Sequence, residues 1–163
     1  QSRSSAASDV YKRQDPDYVR GYMIGEHGPS GFPMFTGVNV GGVGFDGLAK
    51  LFDADPMDRD ELTTRINDAG TAVFNLKGWT SAGIGQSAVT IARSILLNEH
   101  AVYPVCTTLH GQYGHDGDVS MGVPCVIGAA GVERILEVPL DDWEQEHLAS
   151  TIKAIQETVE AAS

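Results

Sequence analysis

The sequence predicts an α+β fold in which an antiparallel sheet packs with long helices, and three observations carry that expectation. Two long stretches, beginning near Asp58 and Thr80, place apolar residues at helical spacing. Three β-prone stretches follow in the second half, separated by glycine- and aspartate-rich turns. The strands are thus grouped apart from the long helices instead of alternating with them, the pattern of α+β rather than of a doubly wound sheet.

The elements follow in order. Val19 to Ile24 (VRGYMI) is a short β-prone run bounded by Asp-Pro before and Gly25 after, and reads as one strand. Asp58 can cap a helix whose residues Leu62, Ile66, Ala69, Val73 and Leu76 form one stripe, with Gly78 ending it. Thr80 or Ser81 can cap a second helix, with Ile84, Ala88, Ile91, Ala92, Ile95 and Leu96 on one face and Asn98 near its end; so apolar a helix is expected to be deeply buried. Ala101–Leu109, Val119–Ile127 and Arg134–Val138 read as three strands of an antiparallel meander, the first two joined by HGQYGHDGD. Asp141 then caps a last helix with Trp143, Leu148, Ile152, Ile155 and Val159 toward the core and Glu144, Glu146, Glu157 and Glu160 toward water.

The length of 163 residues suits one domain. With 22 Asp+Glu against 11 Lys+Arg the net charge is −11, which disfavours nucleic acid and anionic membranes as partners. No run of eighteen apolar residues and no secretory layout is present, so a cytoplasmic protein is expected. Cys106 and Cys125 lack the CxxC spacing of zinc ribbons and read as buried, reduced thiols. Residues 1–14, QSRSSAASDVYKRQ, are small and polar without an apolar period; the run SDVYKRQ resembles translated adapter sequence, so these residues are expected to be a non-native or disordered leader before a domain at 15–163.

Gly42-Val-Gly44-Phe-Asp-Gly47 is a literal GxGxxG, the pattern of a dinucleotide loop. That chemistry needs a helix N-terminus aimed at a pyrophosphate and an acidic residue ending a second strand about 20 residues on. Asp-Ala-Asp-Pro interrupts the segment and Asp60 and Glu61 open a helix, so a glycine-rich connection is expected instead. His110, His115, Asp116 and Asp118 are the tightest group of potential metal ligands, but they sit where a hairpin tip needs polar residues anyway, and no metal is expected. His100 and His147 read as surface or cap residues. His27 is different: it lies in GEHGPSGFP directly after a strand, between Gly25 and Gly28 and near two prolines. A histidine held there suits a general acid or base, while a structural role remains the alternative because no sequence neighbour is placed to hold its tautomer.

GYMIGEHGPSGFPMFTGVNVGGV closely resembles the active-site segment of the NAD-dependent L-lactate/malate dehydrogenase family. KGWTSAGIGQSA is similar to that family's KGxTxxxIG segment, LNEHAVYPVCTTLHGQYG to its strand and turn, and DVSMGVPCVIGAAGVERILEVPL to its final strands, so that the likeness runs from about Asp15 to Ala161. The resemblance implies the C-terminal substrate domain of an NAD-dependent oxidoreductase that reduces a 2-oxo acid such as pyruvate. By it, His27 is the catalytic acid/base, Thr80 lines the substrate pocket and Ile84 packs against the nicotinamide. Glu26 inclines the reading toward the lactate branch, with malate dehydrogenase the alternative. Arg20 stands where many members carry a histidine that helps bind an anion between subunits; a solvated arginine is the other reading. The resemblance further implies a missing N-terminal Rossmann domain, a carboxylate-clamping arginine and a histidine-orienting aspartate encoded upstream of Asp15, a homo-oligomer when complete, and no activity in this chain alone. A non-catalytic binding or assembly domain is the reading from another class, and a GxGxxG after a first strand in the upstream sequence would discriminate the two.

Overall fold

The computed structural model describes residues 18–162, apart from the side chain of Asp118. The leader expected over residues 1–14 lies outside them. Contacts gather into two compact units, residues 18–21 with Phe35–Ser87, and Tyr22–Met34 with 88–162.

In the first unit β1 (Val19–Arg20) pairs antiparallel with β4 (Asn39–Val40), which pairs in turn with β5 (Val43–Gly44). The two-residue turn between β4 and β5 is Gly41-Gly42, with φ of +59° and +91°, a conformation of the type that hairpins of this length require and that glycine adopts without penalty. The Gly42 N–H donates to Asn39 Oδ1 at 2.9 Å. Backbone geometry therefore accounts for the start of the GxGxxG pattern, and Gly44 precedes a helix α1 of only seven residues, Phe45–Leu51. Phe35, Val40, Phe45, Leu48 and Leu62 are buried; the Phe35 and Phe45 rings lie 4.5 Å apart, and the Arg59 guanidinium sits over both.

Helix α2 (Arg59–Lys77) starts where the Asp58 carboxylate accepts from the Glu61 N–H at 2.8 Å and ends at Gly78, left-handed at φ +75°. Its expected apolar stripe is buried only at Leu62; Val73 is exposed and Leu76 is 86 % exposed. Helix α3 (Ser81–Leu96) likewise departs from the deep burial expected of it. Ile84 is 68 % and Leu96 82 % exposed, and only Ser94 is fully buried, donating to the Ile127 carbonyl at 2.7 Å. Only the C-terminal half of the apolar face is covered, where Ile91 and Ile95 pack partly buried against the main core.

The second unit holds the main core. The β2 strand (Met23–Ile24) pairs with β3 (Phe32–Pro33), so VRGYMI is two strands in two ladders and not one. A Cβ on Gly21, at the break, would press Val38 Cγ2 at 3.3 Å. The meander is as expected: β6 (Ala101–His110), β7 (Asp116–Gly128) and β8 (Gly131–Ile135) run antiparallel in that order. The last strand begins earlier than the sequence suggested because Gly131, at φ +88°, closes a tight turn directly after β7. Alternate residues Val119, Met121, Val123, Cys125 and Ile127 of β7 face one core with Ile24, Phe32, Met34 and Leu109. Helix α4 (Asp142–Ala161) lays Leu148, Thr151 and Ile152 into it, whereas Val159, expected to face the core, is 58 % exposed near the helix end.

Three further expectations are corrected. Glu144, placed toward water by periodicity, is fully buried, because it completes a capping box in which its carboxylate accepts from the Asp141 N–H while Asp141 accepts from its own. Cys106, expected buried, is exposed, since it falls on the outward phase of β6 while Cys125 falls on the inward phase of β7; both thiols are free. His147 is not merely a surface residue: it is half-buried, stacked 3.6 Å from the Trp143 ring and bonded through Nδ1 to the Trp143 carbonyl, whereas His100 is exposed as expected, with Nε2 3.1 Å from Glu133. Among the described residues no helix is long and apolar enough to cross a membrane.

Candidate active site

His27 sits on the connection between β2 and β3, and its backbone is fastened on both sides. On the N-terminal side Gly25 exchanges two hydrogen bonds with Gly122 of β7, at 2.9 and 2.8 Å. Gly25 has φ +94°, and a Cβ there would lie 2.8 Å from Thr151 Oγ1, so only glycine allows helix α4 to come this close. The Glu26 N–H donates to Thr151 Oγ1 at 2.9 Å. On the C-terminal side the Gly31 N–H donates to the Gly28 carbonyl at 3.1 Å, and the next residues enter β3.

The Glu26 side chain folds back across the connection and accepts a hydrogen bond from Ser30 Oγ, which lies 3.0 Å from Thr151 Oγ1. Gly28 leaves room for that fold, since a Cβ on it would lie 2.8 Å from the Glu26 carboxyl. Below this loop lies Phe32, fully buried against the rings of Trp143 and His147 at centroid distances of 6.1 and 5.6 Å.

His27 itself is exposed, and its ring makes no hydrogen bond or ion pair with any described residue. A rigid main chain thus presents an imidazole whose two nitrogens are open to an incoming group. That arrangement can give or take one proton at a fixed position.

Thr80, Ile84 and Arg20, also singled out in the sequence, belong to the first unit. Thr80 is exposed immediately before α3, and Ile84 is exposed in that helix's first turn. Ile84 offers an aliphatic surface without polar atoms, which fits contact with an apolar ring. Arg20 is exposed on β1 opposite Asn39. At the β6–β7 hairpin His110 Nδ1 and Asp116 lie 3.9 Å apart, and the described residues contain no group of three or more potential metal ligands.

Sequence reasoning missed Ser30 and Thr151. Thr151 left a signal, since a β-branched hydroxyl residue between Leu148 and Ile152 falls on the buried stripe of α4 and must find a polar partner there. Ser30 left none, because a serine in a Pro-Ser-Gly turn is ordinary turn chemistry.

The family model described as lactate/malate dehydrogenase, alpha/beta C-terminal domain, matches residues 1–163. L-lactate dehydrogenase 2 of Clostridium acetobutylicum is 41% identical over 145 residues, 86% of this chain and 45% of that protein. L-lactate dehydrogenase 1 of Lactobacillus acidophilus is 37% identical over 148 residues, 91% of this chain and 46% of that one. Among solved structures, lactate dehydrogenase from Eimeria maxima with NADH and oxamate superposes with a TM-score of 0.87 at 26% identity, covering 97% of this chain and 49% of that chain. Malate dehydrogenase from Aeropyrum pernix gives 0.82, also at 26%, over 96% and 51%. The chain spans about half the length of these relatives. The strand–loop–strand that carries His27, the antiparallel meander and the capped last helix are the α+β architecture of this group, and the chain belongs to the lactate/malate dehydrogenase family through its C-terminal domain.

Proposed function

We propose that this chain is the substrate-binding half of an NAD-dependent L-2-hydroxy-acid dehydrogenase acting on lactate and pyruvate, and that His27 is its acid/base. The observation that carries the reading is an exposed imidazole, without a hydrogen-bond partner among the described residues, on a backbone pinned by Gly122 and Thr151. In the direction of reduction a protonated His27 donates a hydrogen bond to the 2-oxo oxygen, which lowers the energy of the charge developing there, and then gives up its proton as the alcohol forms. In the reverse direction the neutral ring takes the hydroxyl proton. NADH, when bound, supplies the hydride. Thr80 lines the substrate pocket and Ile84 gives the nicotinamide an apolar surface that excludes water.

The lactate assignment is supported by the curated relatives, which are L-lactate dehydrogenases at 34–41% identity. Malate is the second reading, favoured by the likeness to the Aeropyrum pernix enzyme. The complete protein is proposed to be a cytoplasmic homo-oligomer in which a nucleotide-binding domain joins this one, with Arg20 available to an anion between subunits.

The test is His27→Gln in the complete enzyme. Turnover with pyruvate should fall by roughly 10²–10⁴, the span of a lost general acid, with NADH affinity little changed. Near wild-type turnover would overturn the assignment.

A further inference from the structure

We infer that Thr151, on the C-terminal helix, is a positioning residue for His27, acting through Ser30 and Glu26; the inference rests on the acid/base reading above. Thr151 is fully buried. It belongs to α4, yet its hydroxyl bonds not within the helix but to a loop 125 residues earlier in the chain.

Donor counting fixes the order of the protons. Thr151 Oγ1 accepts from the Glu26 N–H, and the Ser30 hydroxyl spends its single proton on the Glu26 carboxylate. Between the two hydroxyls, Thr151 must therefore donate and Ser30 accept. The chain runs from the Glu26 N–H to Thr151, to Ser30 and back to the Glu26 carboxylate, a closed ring whose members polarise one another. Every group in it is used once in each role that it has.

The ring constrains the residue directly before His27, at both its N–H and its side chain. With Glu26 N–H held, and Gly25 locked to β7, the direction in which the histidine Cα–Cβ bond leaves the loop is set from α4. Thr151 also fills the space that a side chain at residue 25 would take, so hydroxyl and methyl work together: one sets the loop's register, the other its distance from the helix. A catalytic imidazole displaced by about 1 Å can lose about a hundredfold in rate. The same loop without this tie would keep its fold, through the Gly25–Gly122 pair, and lose its aim.

The experiment uses the complete dehydrogenase, with His27→Gln measured alongside. Thr151→Val keeps the shape and removes the hydroxyl; Thr151→Ser keeps the hydroxyl. The Val variant should lower kcat and kcat/KM for pyruvate together by about 10–100-fold, with the Kd for NADH unchanged, and the Ser variant should recover most of that loss. Equal impairment in Val and Ser variants would mean that packing and not the hydroxyl matters, and overturns the proposal. So does wild-type turnover in Thr151→Val when His27→Gln is inactive, an outcome that leaves the histidine reading intact. An active His27→Gln overturns the histidine reading instead. Should Thr151→Val fail to fold, Ser30→Ala breaks the same ring from the loop side without touching helix packing. A fall in kcat with NADH binding retained supports the proposal, and wild-type turnover sinks it.

Discussion

The β7 strand and the α2–α3 segment are both strongly apolar, yet they meet opposite fates. Alternate residues of β7 from Val119 to Ile127 are buried, while Leu76, Trp79 and Ile84 stand more than half exposed. In β7 the period of two sets alternate side chains on one face of a strand held between β6 and β8, and that face is covered by Ile24, Phe32 and Met34 from earlier in the chain and by Leu148 and Ile152 of α4. In α2 and α3 the period of 3.6 is just as clear, but only Leu62, Ile91 and Ile95 are covered, while Val73, Leu76, Ile84 and Leu96 on the same faces stay exposed among the described residues. Periodicity says which face is apolar; it does not say in which chain the opposite face is encoded.

The largest effect should be on catalysis. The region around His27 is complete as a scaffold, while the relatives that carry the whole reaction are about twice as long. Purified 163-residue chain should oxidise NADH with pyruvate no faster than buffer, because holding cofactor and substrate together is itself worth roughly 7–11 kcal/mol of barrier. Turnover by this chain would show that its exposed helices are finished surface and erase the contrast with β7.

Stability should separate the two regions next. Leu109→Ala empties a fully buried site beside β7 and should destabilise by about 2–5 kcal/mol. Leu76→Ala, at the end of α2, should stay within about 0.5 kcal/mol. Denaturant midpoints of the two variants give the comparison directly. A large cost at Leu76 would mean that the chain covers this leucine in solution.

Association follows from the same exposure. Val73, Phe74, Leu76, Trp79 and Ile84 are all exposed in one unit, and such surface favours self-association once charge repulsion is screened. The net charge of −11 opposes it at low salt, with a screening length of about 10 Å at 0.1 M and about 3 Å at 1 M. Sedimentation should therefore show larger species as ionic strength rises. A monomer across the whole range would count against the surface being an interface.

How much of this was legible in the sequence depends on how far apart the partners lie. The caps at Asp58 and Asp141, the stop at Gly78 and the three-strand meander follow from neighbours a few residues apart, and all are found. Glu144 was misplaced because periodicity outvoted a capping box that the same four residues also spell. The break in VRGYMI was hidden because both halves are β-prone; only pairing with different strands separates them. His27 stood out by its setting and by resemblance, but the tie from Thr151 spans 125 residues and has no local signature.

The smallest effect lies at the hairpin tip that joins β6 to β7, where Tyr113 takes a left-handed conformation at φ +52°. Its N–H donates to Glu137 at 2.8 Å and its phenol oxygen accepts from the Val138 N–H at 3.1 Å, so the tip is strapped to the segment after β8. Burial raises the phenol above its ordinary value of 10.0, the Glu137 and Glu144 carboxylates push the same way, and the Val138 N–H opposes them. The folded chain therefore holds this proton more tightly than the unfolded one. The stabilisation is whole below pH 10 and is lost as pH climbs from there through the folded value. In an absorbance titration of the phenolates, Tyr113→Phe should remove an increment that lies above pH 10. At neutral pH the substitution should cost about 0.5–1.5 kcal/mol, the worth of one hydrogen bond, and that cost should shrink above pH 10, where wild type loses its own advantage. If the increment lost in Tyr113→Phe lies at or below pH 10, the tip is open to water and the strap is not formed in solution.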